Sequence, residues 1–278
     1  MVSFLYLLLV GLTAGFIGSL IGIGGGIIIV PMLTLLLGIP IHYAIGTSII
    51  AVLATSVSGS RRYIIKEITN IKLGLSLETF TAAGGIVGGI TAAYLKGNIL
   101  YGLFGAFILI TTAIIYKKNK TNRGKDKIYR AKNPSLYSSY YINGSNNKKV
   151  DYDVRNVPLG FGATFFAGIT SGLLGIGGGA VKVPTLNLLM DVPLKATTAT
   201  SNYMIGITAA ASSLIYFANG FIDPFISSAV VVGVLAGGTL GSFAAGKAET
   251  ITIAKIMIGV FIIIGINMLL KAFGISLY

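Results

Sequence analysis

Cysteine is absent from this chain of 278 residues, histidine occurs once, and charged residues make up only 10% of the sequence. The lack of cysteine excludes disulfides, thiolate chemistry and iron–sulfur clusters, and the lone His42 argues against a His-rich metal site. A soluble domain carries about 25% charged residues. Because the chain is also 54% hydrophobic, we interpret it as an all-α integral protein of the cell membrane, without a cofactor.

The charge that is present is mostly positive, with a formal net charge of +13. Much of it lies in the only long polar stretch, residues 117–157. Loops rich in lysine and arginine stay on the cytoplasmic side of a membrane. We therefore predict a mobile cytoplasmic linker here, rather than a nucleic-acid-binding surface, between a first membrane repeat, residues 1–116, and a second, residues 158–278. Its basic residues are Lys117, Lys118, Lys120, Arg123, Lys125, Lys127, Arg130, Lys132, Lys148, Lys149 and Arg155.

One segment of the sequence occurs twice. Residues 14–48 and 167–201 align without a gap at an offset of 153 residues and are identical at 16 of 35 positions. Each copy contains GIGGG, and a proline, Pro31 or Pro184, follows the last glycine by five residues. Duplicated glycine clusters in apolar segments are typical of transporters whose repeats contain broken helices.

Each half of the chain contains about five apolar segments. Most have about 20 residues and can span a membrane as helices, whereas the second in each half has about half that length. We therefore predict that the first two segments of each half form a broken or re-entrant pair around GIGGG. The segments are Phe4–Ile21, Ile27–Leu37, Ile41–Ser60, Leu73–Leu95 and Ile99–Tyr116, then Pro158–Leu174, Ala180–Met190, Leu194–Ala218, Phe225–Ala245 and Ile251–Phe273.

Equivalent loops of the two halves differ in charge. The loop after the third segment carries four basic residues in the first half, while its counterpart, Asn219–Pro224, carries none. The next loop shows a weaker, reversed bias, with Lys96 against Lys247 and Lys255. The same loop then lies inside in one half and outside in the other, which predicts inverted repeats with an odd number of crossings each. The four basic residues are Arg61, Arg62, Lys66 and Lys72.

The doubled pattern AGxxxxxxGIGGGxxxVPxLxLL, followed by a proline and a Thr-Ser pair, resembles the TauE/SafE family of sulfite-exporter-like membrane proteins. The resemblance covers about residues 4–273 and is specific, because the whole pattern occurs twice at one spacing. It implies a secondary transporter of small anions such as sulfite, sulfonates, thiosulfate or organic anions. One difference between the copies matters for the chemistry, because Lys182 stands where the first half has the apolar Ile29.

The glycine breaks are the first candidate substrate site. A helix that restarts after a break has N–H groups without partners and the positive end of its dipole there, and both favour an anion. The two prolines suit the first turn of such a helix. Tight packing or a structural hinge is the alternative explanation. The residues are Gly22, Gly24, Gly25, Gly26 and Pro31 in the first half and Gly175, Gly177, Gly178, Gly179 and Pro184 in the second.

Polar side chains near the breaks complete the candidate site. Hydroxyl and amide groups early in the third segments can donate to an anion, or the hydroxyls can bond to carbonyls of their own helix. A lysine at the bilayer centre costs about 2.5–3.5 kcal/mol, so Lys182 needs the substrate or Asp191 as a partner, unless it reaches the interface. The hydroxyl and amide residues are Thr47, Ser48, Thr200, Ser201 and Asn202.

Three further residues have two readings each. His42 and Lys195 occupy equivalent positions, and we interpret them as anchors at the membrane interface rather than residues at a cavity mouth. Glu78, six residues after Lys72, is either a proton carrier or a solvated or lysine-paired residue near a cytoplasmic end.

The duplicated breaks and the resemblance together predict a secondary transporter that exports small sulfur-containing or organic anions by alternating access around two converging breaks. An anion channel is the alternative. An enzyme is not expected, because neither H-E-x-x-H nor G-x-S-x-G occurs in the sequence. The expected partners are the anion, the lipid bilayer, and a proton or sodium ion for coupling. The identity of the anion, the direction of transport and the oligomeric state stay open.

Overall fold

The computed structural model describes residues 3–21, 25–121, 136–143, 148–245 and 250–275. These ranges form ten α-helices and one β-hairpin. The elements are α1 (Phe4–Ile21), α2 (Gly26–Pro31), α3 (Ile41–Ile65), α4 (Ile71–Tyr94), α5 (Gly97–Thr121), β1 (Ser139–Asn143), β2 (Lys148–Tyr152), α6 (Val157–Leu174), α7 (Gly179–Pro184), α8 (Leu194–Ala218), α9 (Pro224–Ala245) and α10 (Thr250–Ala272). Helices α2 and α7 continue into π-helical turns, Met32–Leu36 and Thr185–Leu189.

Within these ranges, five helices are long and apolar enough to cross a membrane: α3, α4 and α5 in the first half, and α6 and α9 in the second. Shorter apolar stretches occur in α1, in α10 and in α2 with its π-helical turn. The predicted class, an all-α integral membrane protein, is confirmed.

The elements of the first half recur in the second at the spacing of the sequence repeat. Helices α1 and α6 have 18 residues each, α2 and α7 have 6, and α3 and α8 have 25. Helix packing follows the same equivalence between the halves. Helix α1 packs on α9, their equivalents α6 and α4 pack on each other, and α5 packs on its own equivalent, α10.

The equivalent helices α3 and α8 run in opposite directions. Asn202, near the start of α8, lies against Gly59, near the end of α3. At the other end, the Phe221 ring just beyond α8 stacks on His42 at the start of α3, with ring centroids 4.8 Å apart. An antiparallel arrangement of equivalent helices is what an inverted repeat predicts.

The two ends of the helix bundle differ in what covers them. At one end, here named the linker end, Asn70 donates from Nδ2 to the Tyr137 carbonyl at 2.9 Å, and Lys195 lies over the Tyr141 ring at 5.6 Å. At the opposite end, here named the far end, His42 Nε2 is 3.1 Å from the Leu95 carbonyl oxygen. Equivalent residues His42 and Lys195 thus lie at opposite ends of the bundle, and each contacts protein groups.

Glycines let the helices pack closely, and the fourth segment of each half contains three of them as GGxxG, beginning at Gly84 and at Gly237. A Cβ atom on Gly84 would collide with the Phe165 carbonyl of α6, and one on Gly237, the equivalent residue, would collide with the Leu12 carbonyl of α1. Gly238 differs from its counterpart, because a Cβ atom there would meet nothing within 4 Å. Close packing therefore explains most of this pattern, but not Gly238.

The linker contains more structure than its composition suggests. Helix α5 extends to Thr121, and the hairpin of β1 and β2 pairs Ser139 with Tyr152 through Asn143 with Lys148. Tyr141 and Tyr152 are buried and pack in a cluster with Leu73 and Leu77 of α4. The prediction of a wholly mobile segment is wrong for these strands, because aromatic side chains attach the hairpin to the bundle.

Candidate functional site

In the second glycine break, three glycines have left-handed backbone conformations. Gly175, Gly177 and Gly178 have φ angles of 68°, 73° and 71°, which only glycine adopts without strain. In the first break Gly25 has the matching φ of 70°, whereas Gly22 and Gly24 lie outside the described residues. Each break ends against the preceding long helix, since Gly25 lies beside the Ala14 carbonyl of α1 and Gly178 beside Ala167 of α6.

The two breaks meet each other in the interior. A Cβ atom on Gly26 would lie 2.6 Å from the Gly175 carbonyl oxygen and 2.9 Å from the Ile176 Cα atom. Ser48 of α3 joins this contact, because its Oγ donates to the same Gly175 carbonyl at 2.7 Å. Gly26 and Ile176 are both buried. The breaks of the two halves are therefore in direct contact rather than separate.

The helices that restart after the breaks begin with unpaired N–H groups. Neither N-cap residue, Gly25 or Gly178, provides a side-chain cap. The Gly25 carbonyl accepts from Ile28 and Ile29, and the Gly178 carbonyl accepts from Val181 and Lys182. In the described parts of the chain, the first two N–H groups of each helix have no acceptor. These groups belong to Gly26 and Ile27 in α2 and to Gly179 and Ala180 in α7.

Pro31 and Pro184 do not lie in the first turn of the restarted helices. Each is the sixth residue of its helix, where the α-helical pattern changes to the π-helical turn. Proline lacks an N–H group and its ring disturbs the preceding turn, so a change of helical hydrogen bonding at this position is expected. The prolines therefore mark the change from α-helix to π-helical turn after each break.

The polar residues of the third segments bond between elements rather than to their own helix. Thr47 Oγ1 lies 3.4 Å from Ser227 Oγ of α9, and Thr200 Oγ1 accepts from the Asn70 N–H at 3.0 Å. Asn202 packs its amide on Gly59 of α3. The Ser201 Oγ is buried and has no described partner. Of these residues, Ser48 bonds to a described break glycine, and the bonds of Thr47, Ser48 and Thr200 to other elements differ from the predicted bonding to their own helix.

Lys182 has a partner that the sequence analysis did not assign to it. Its Nζ lies 3.4 Å from Glu78 Oε2 and donates to Thr208 Oγ1 at 2.6 Å, and the Thr208 hydroxyl donates in turn to Glu78 Oε1. Lys182 is 0% exposed and Glu78 is 2% exposed. We name Glu78, Lys182 and Thr208 the buried triad.

The buried triad corrects two expectations. The partner of Lys182 in this structure is Glu78, not Asp191. Asp191 instead occupies a left-handed turn (φ 59°) at the position that Gly38 holds in the first half. Glu78 is lysine-paired but not solvated, because it lies in the interior of the bundle and its partner is Lys182 rather than the nearby Lys72.

The first half has no such triad at the equivalent positions. Glu78 and Lys182 correspond to Val231 and Ile29, and only Thr208 has a polar counterpart, Thr55. Ile29 is fully buried, Val231 packs against the same apolar core, and Thr55 bonds to carbonyls of its own helix. The fold therefore tolerates an apolar arrangement at this place, and the charged pair is an addition in one half.

Comparison with known proteins identifies relatives along almost the whole chain. The family described as "Sulfite exporter TauE/SafE" matches residues 7–268. "Probable membrane transporter protein YunE" of Bacillus subtilis (strain 168) is 31% identical over 280 residues, covering 96% of this chain and 97% of that protein. "Probable membrane transporter protein YdhB" of the same strain is 27% identical, covering 87% and 89%. "Probable membrane transporter protein MJ0441" of Methanocaldococcus jannaschii is 28% identical, covering 76% and 71%. No solved structure matches the chain.

Proposed function

Because this chain belongs to the sulfite exporter TauE/SafE family of membrane transporters, we propose that it is a secondary transporter of small anions, sulfite or sulfonates among them. The observation that supports this proposal is the contact between the two glycine breaks. It brings two buried helix starts into one region, and their first N–H groups, on Gly26, Ile27, Gly179 and Ala180, have no acceptor among the described residues. Helix starts of this kind bind anions through their N–H groups and dipoles.

The antiparallel arrangement of the two halves supports alternating access as the mechanism. In an inverted repeat, each half can adopt the conformation of the other, which exchanges the side from which the central site is reached. The re-entrant pieces, α2 with its π-helical turn and α7 with its own, are the elements that we expect to exchange conformations. The basic linker end is proposed to face the cytoplasm, with the protein in the cell membrane.

Isotope counterflow in proteoliposomes tests this proposal. Vesicles loaded with unlabelled sulfite or isethionate and diluted into a trace of the labelled anion are expected to accumulate the label transiently, with saturation at high concentration. A carrier gives this result because each return step carries an anion. An anion channel gives linear flux without counterflow, and that outcome, or no flux for any small anion, would contradict the proposal. Empty liposomes provide the control.

A further inference from the structure

We propose that the buried triad is a proton site that couples anion transport to proton movement, with Glu78 as the proton acceptor and Lys182 as the group shared between Glu78 and the anion. This inference rests on the proposed transport function and adds the coupling ion to it. It is carried by the position of the triad, by its charge balance and by its absence from the first half.

The position of Lys182 connects the triad to the second break. Lys182 lies one turn after Gly178, its N–H donates to the Gly178 carbonyl at 2.9 Å, and its Cε would lie 3.4 Å from a Cβ atom on Gly178. Side chains on a helix point back toward its start. The Lys182 side chain therefore runs back along the second break toward the start of α7, and we expect a change of rotamer to turn its ammonium group from Glu78 to an anion bound there.

The charge balance of the site explains why a proton must accompany the anion. With Glu78 ionised and Lys182 protonated, the pair is neutral. When a monovalent anion pairs with Lys182, Glu78 is left as a buried carboxylate without its counter-ion, which is strongly unfavourable. Uptake of one proton, with an O–H bond formed at a Glu78 oxygen and no bond broken in the anion, makes the site neutral again. One proton therefore moves with each monovalent anion, and the step carries no net charge.

The surroundings leave Glu78 as the group able to take this proton. Among the described residues that pack on α4, the charged partner in contact with Glu78 is Lys182, and the Thr208 hydroxyl bridges the two. Helix α6 presents phenylalanines and glycine to α4. Other titratable groups that pack on α4 are tyrosines of α8, next to Gly74 and Gly89, and tyrosines of the hairpin in the cluster with Leu73 and Leu77. These are Tyr203, Tyr216, Tyr141 and Tyr152.

Glu78 lies a short distance from the linker end of the bundle, from which a proton can reach it. Glu78 is seven residues after the first residue of α4, which places it about 10 Å from the linker end. The equivalent position in the first half is the apolar Val231, so the fold does not require an ionisable group here. A charged pair that the fold can omit, and that costs free energy to bury, is better explained by coupling than by stability.

Transport driven by a pH gradient tests the inference. Proteoliposomes with an acid exterior are expected to accumulate labelled isethionate above its external concentration, and a potential set with potassium and valinomycin should not change this. The half-saturation concentration should rise about tenfold per pH unit on the alkaline side, the limit for one linked proton. Glu78→Gln cannot take up the proton, so it should retain measurable counterflow but lose the pH-driven accumulation. Glu67→Gln, which removes an exposed carboxylate at the linker end, should keep both.

The outcomes separate this inference from the proposed function. Counterflow without pH-driven accumulation in the unaltered protein, or accumulation that survives in Glu78→Gln, would overturn the coupling and leave the transporter intact. No counterflow in the unaltered protein would overturn both. Should Glu78→Gln fail to fold, titration calorimetry of isethionate into the unaltered protein, in two buffers of different ionisation enthalpy, gives the protons taken up per anion. About one is expected, and none would refute the inference.

Discussion

Lys182→Ile is expected to destabilise the protein by about 3–5 kcal/mol, the usual cost of removing one member of a buried ion pair. The substitution leaves Glu78 in an interior where it is 2% exposed, with Thr208 as its remaining partner. The double substitution Lys182→Ile/Glu78→Val is expected to recover most of this loss, because it recreates the Ile29 and Val231 arrangement of the first half. Thermal unfolding of the three proteins in detergent is the measurement.

The double variant also separates stability from function. We expect it to fold as well as the unaltered protein and to have at least tenfold weaker apparent anion affinity, equivalent to about 1.4 kcal/mol, because no ammonium group remains beside the second break. Equal stability of the single and double variants would show that Glu78 and Lys182 do not depend on each other. Unchanged anion affinity in the double variant would show that Lys182 does not meet the anion.

Gly26→Ala is expected to abolish transport, although it adds a single methyl group. The new Cβ atom would lie 2.6 Å from the Gly175 carbonyl oxygen and 2.9 Å from the Ile176 Cα atom, so the two breaks must separate. The backbone of Gly26 is helical and alanine favours helix by about 1 kcal/mol, whereas overpacking costs about 1–3 kcal/mol. We therefore expect a modest loss of stability with a loss of counterflow of at least tenfold.

Gly162→Ala is the matched control for this substitution. It introduces the same methyl group in helix α6, where a Cβ atom would meet nothing within 4 Å. Stability should be equal or slightly higher, and counterflow unchanged. If Gly26→Ala transports as well as Gly162→Ala, the contact between the breaks is not part of the transport site.

The order and lengths of the helices could be predicted from the sequence because they depend on local patterns. Apolar segment lengths, the repeat at an offset of 153 residues and the glycine clusters are each visible without knowing which helices touch. The resulting segments agree with the helices to within a few residues, apart from ends such as that of α3, which continues past Ser60 to Ile65. The basic residue Arg61 thus lies in the helix rather than in a loop.

The buried triad could not be predicted from the same patterns. Glu78 and Lys182 are 104 residues apart, and their contact depends on the packing of α4, α7 and α8. One signal was available, because Glu78 is the only acidic residue within the apolar segments and a lysine buried at membrane depth needs an opposite charge. If Lys182 had no acidic partner, removing this buried charge would be expected to stabilise the protein. Because Glu78 is its partner, removing Lys182 is expected to destabilise the protein instead.

The position of the prolines and the fold of the linker were missed for local reasons. A proline five residues after a glycine cluster fits a first helical turn if the helix begins late, but the helix begins at Gly26 itself. In the linker, the many lysine and asparagine residues are typical of a mobile segment. The two strands that contain Tyr141 and Tyr152 and pair as a hairpin were therefore not predicted.

The central claim is that the anion occupies the place where the two breaks meet, and a cysteine at Ser48 tests it most directly. The chain has no other cysteine, and Ser48 contacts both breaks through Gly26 and Gly175. Ser48→Cys in proteoliposomes is expected to react with a membrane-impermeant methanethiosulfonate reagent from either side, and isethionate should slow this reaction with the half-effect concentration of transport. Isethionate replaces sulfite here because sulfite attacks the reagent. A labelling rate that isethionate leaves unchanged, in protein that still transports it, would place the site elsewhere.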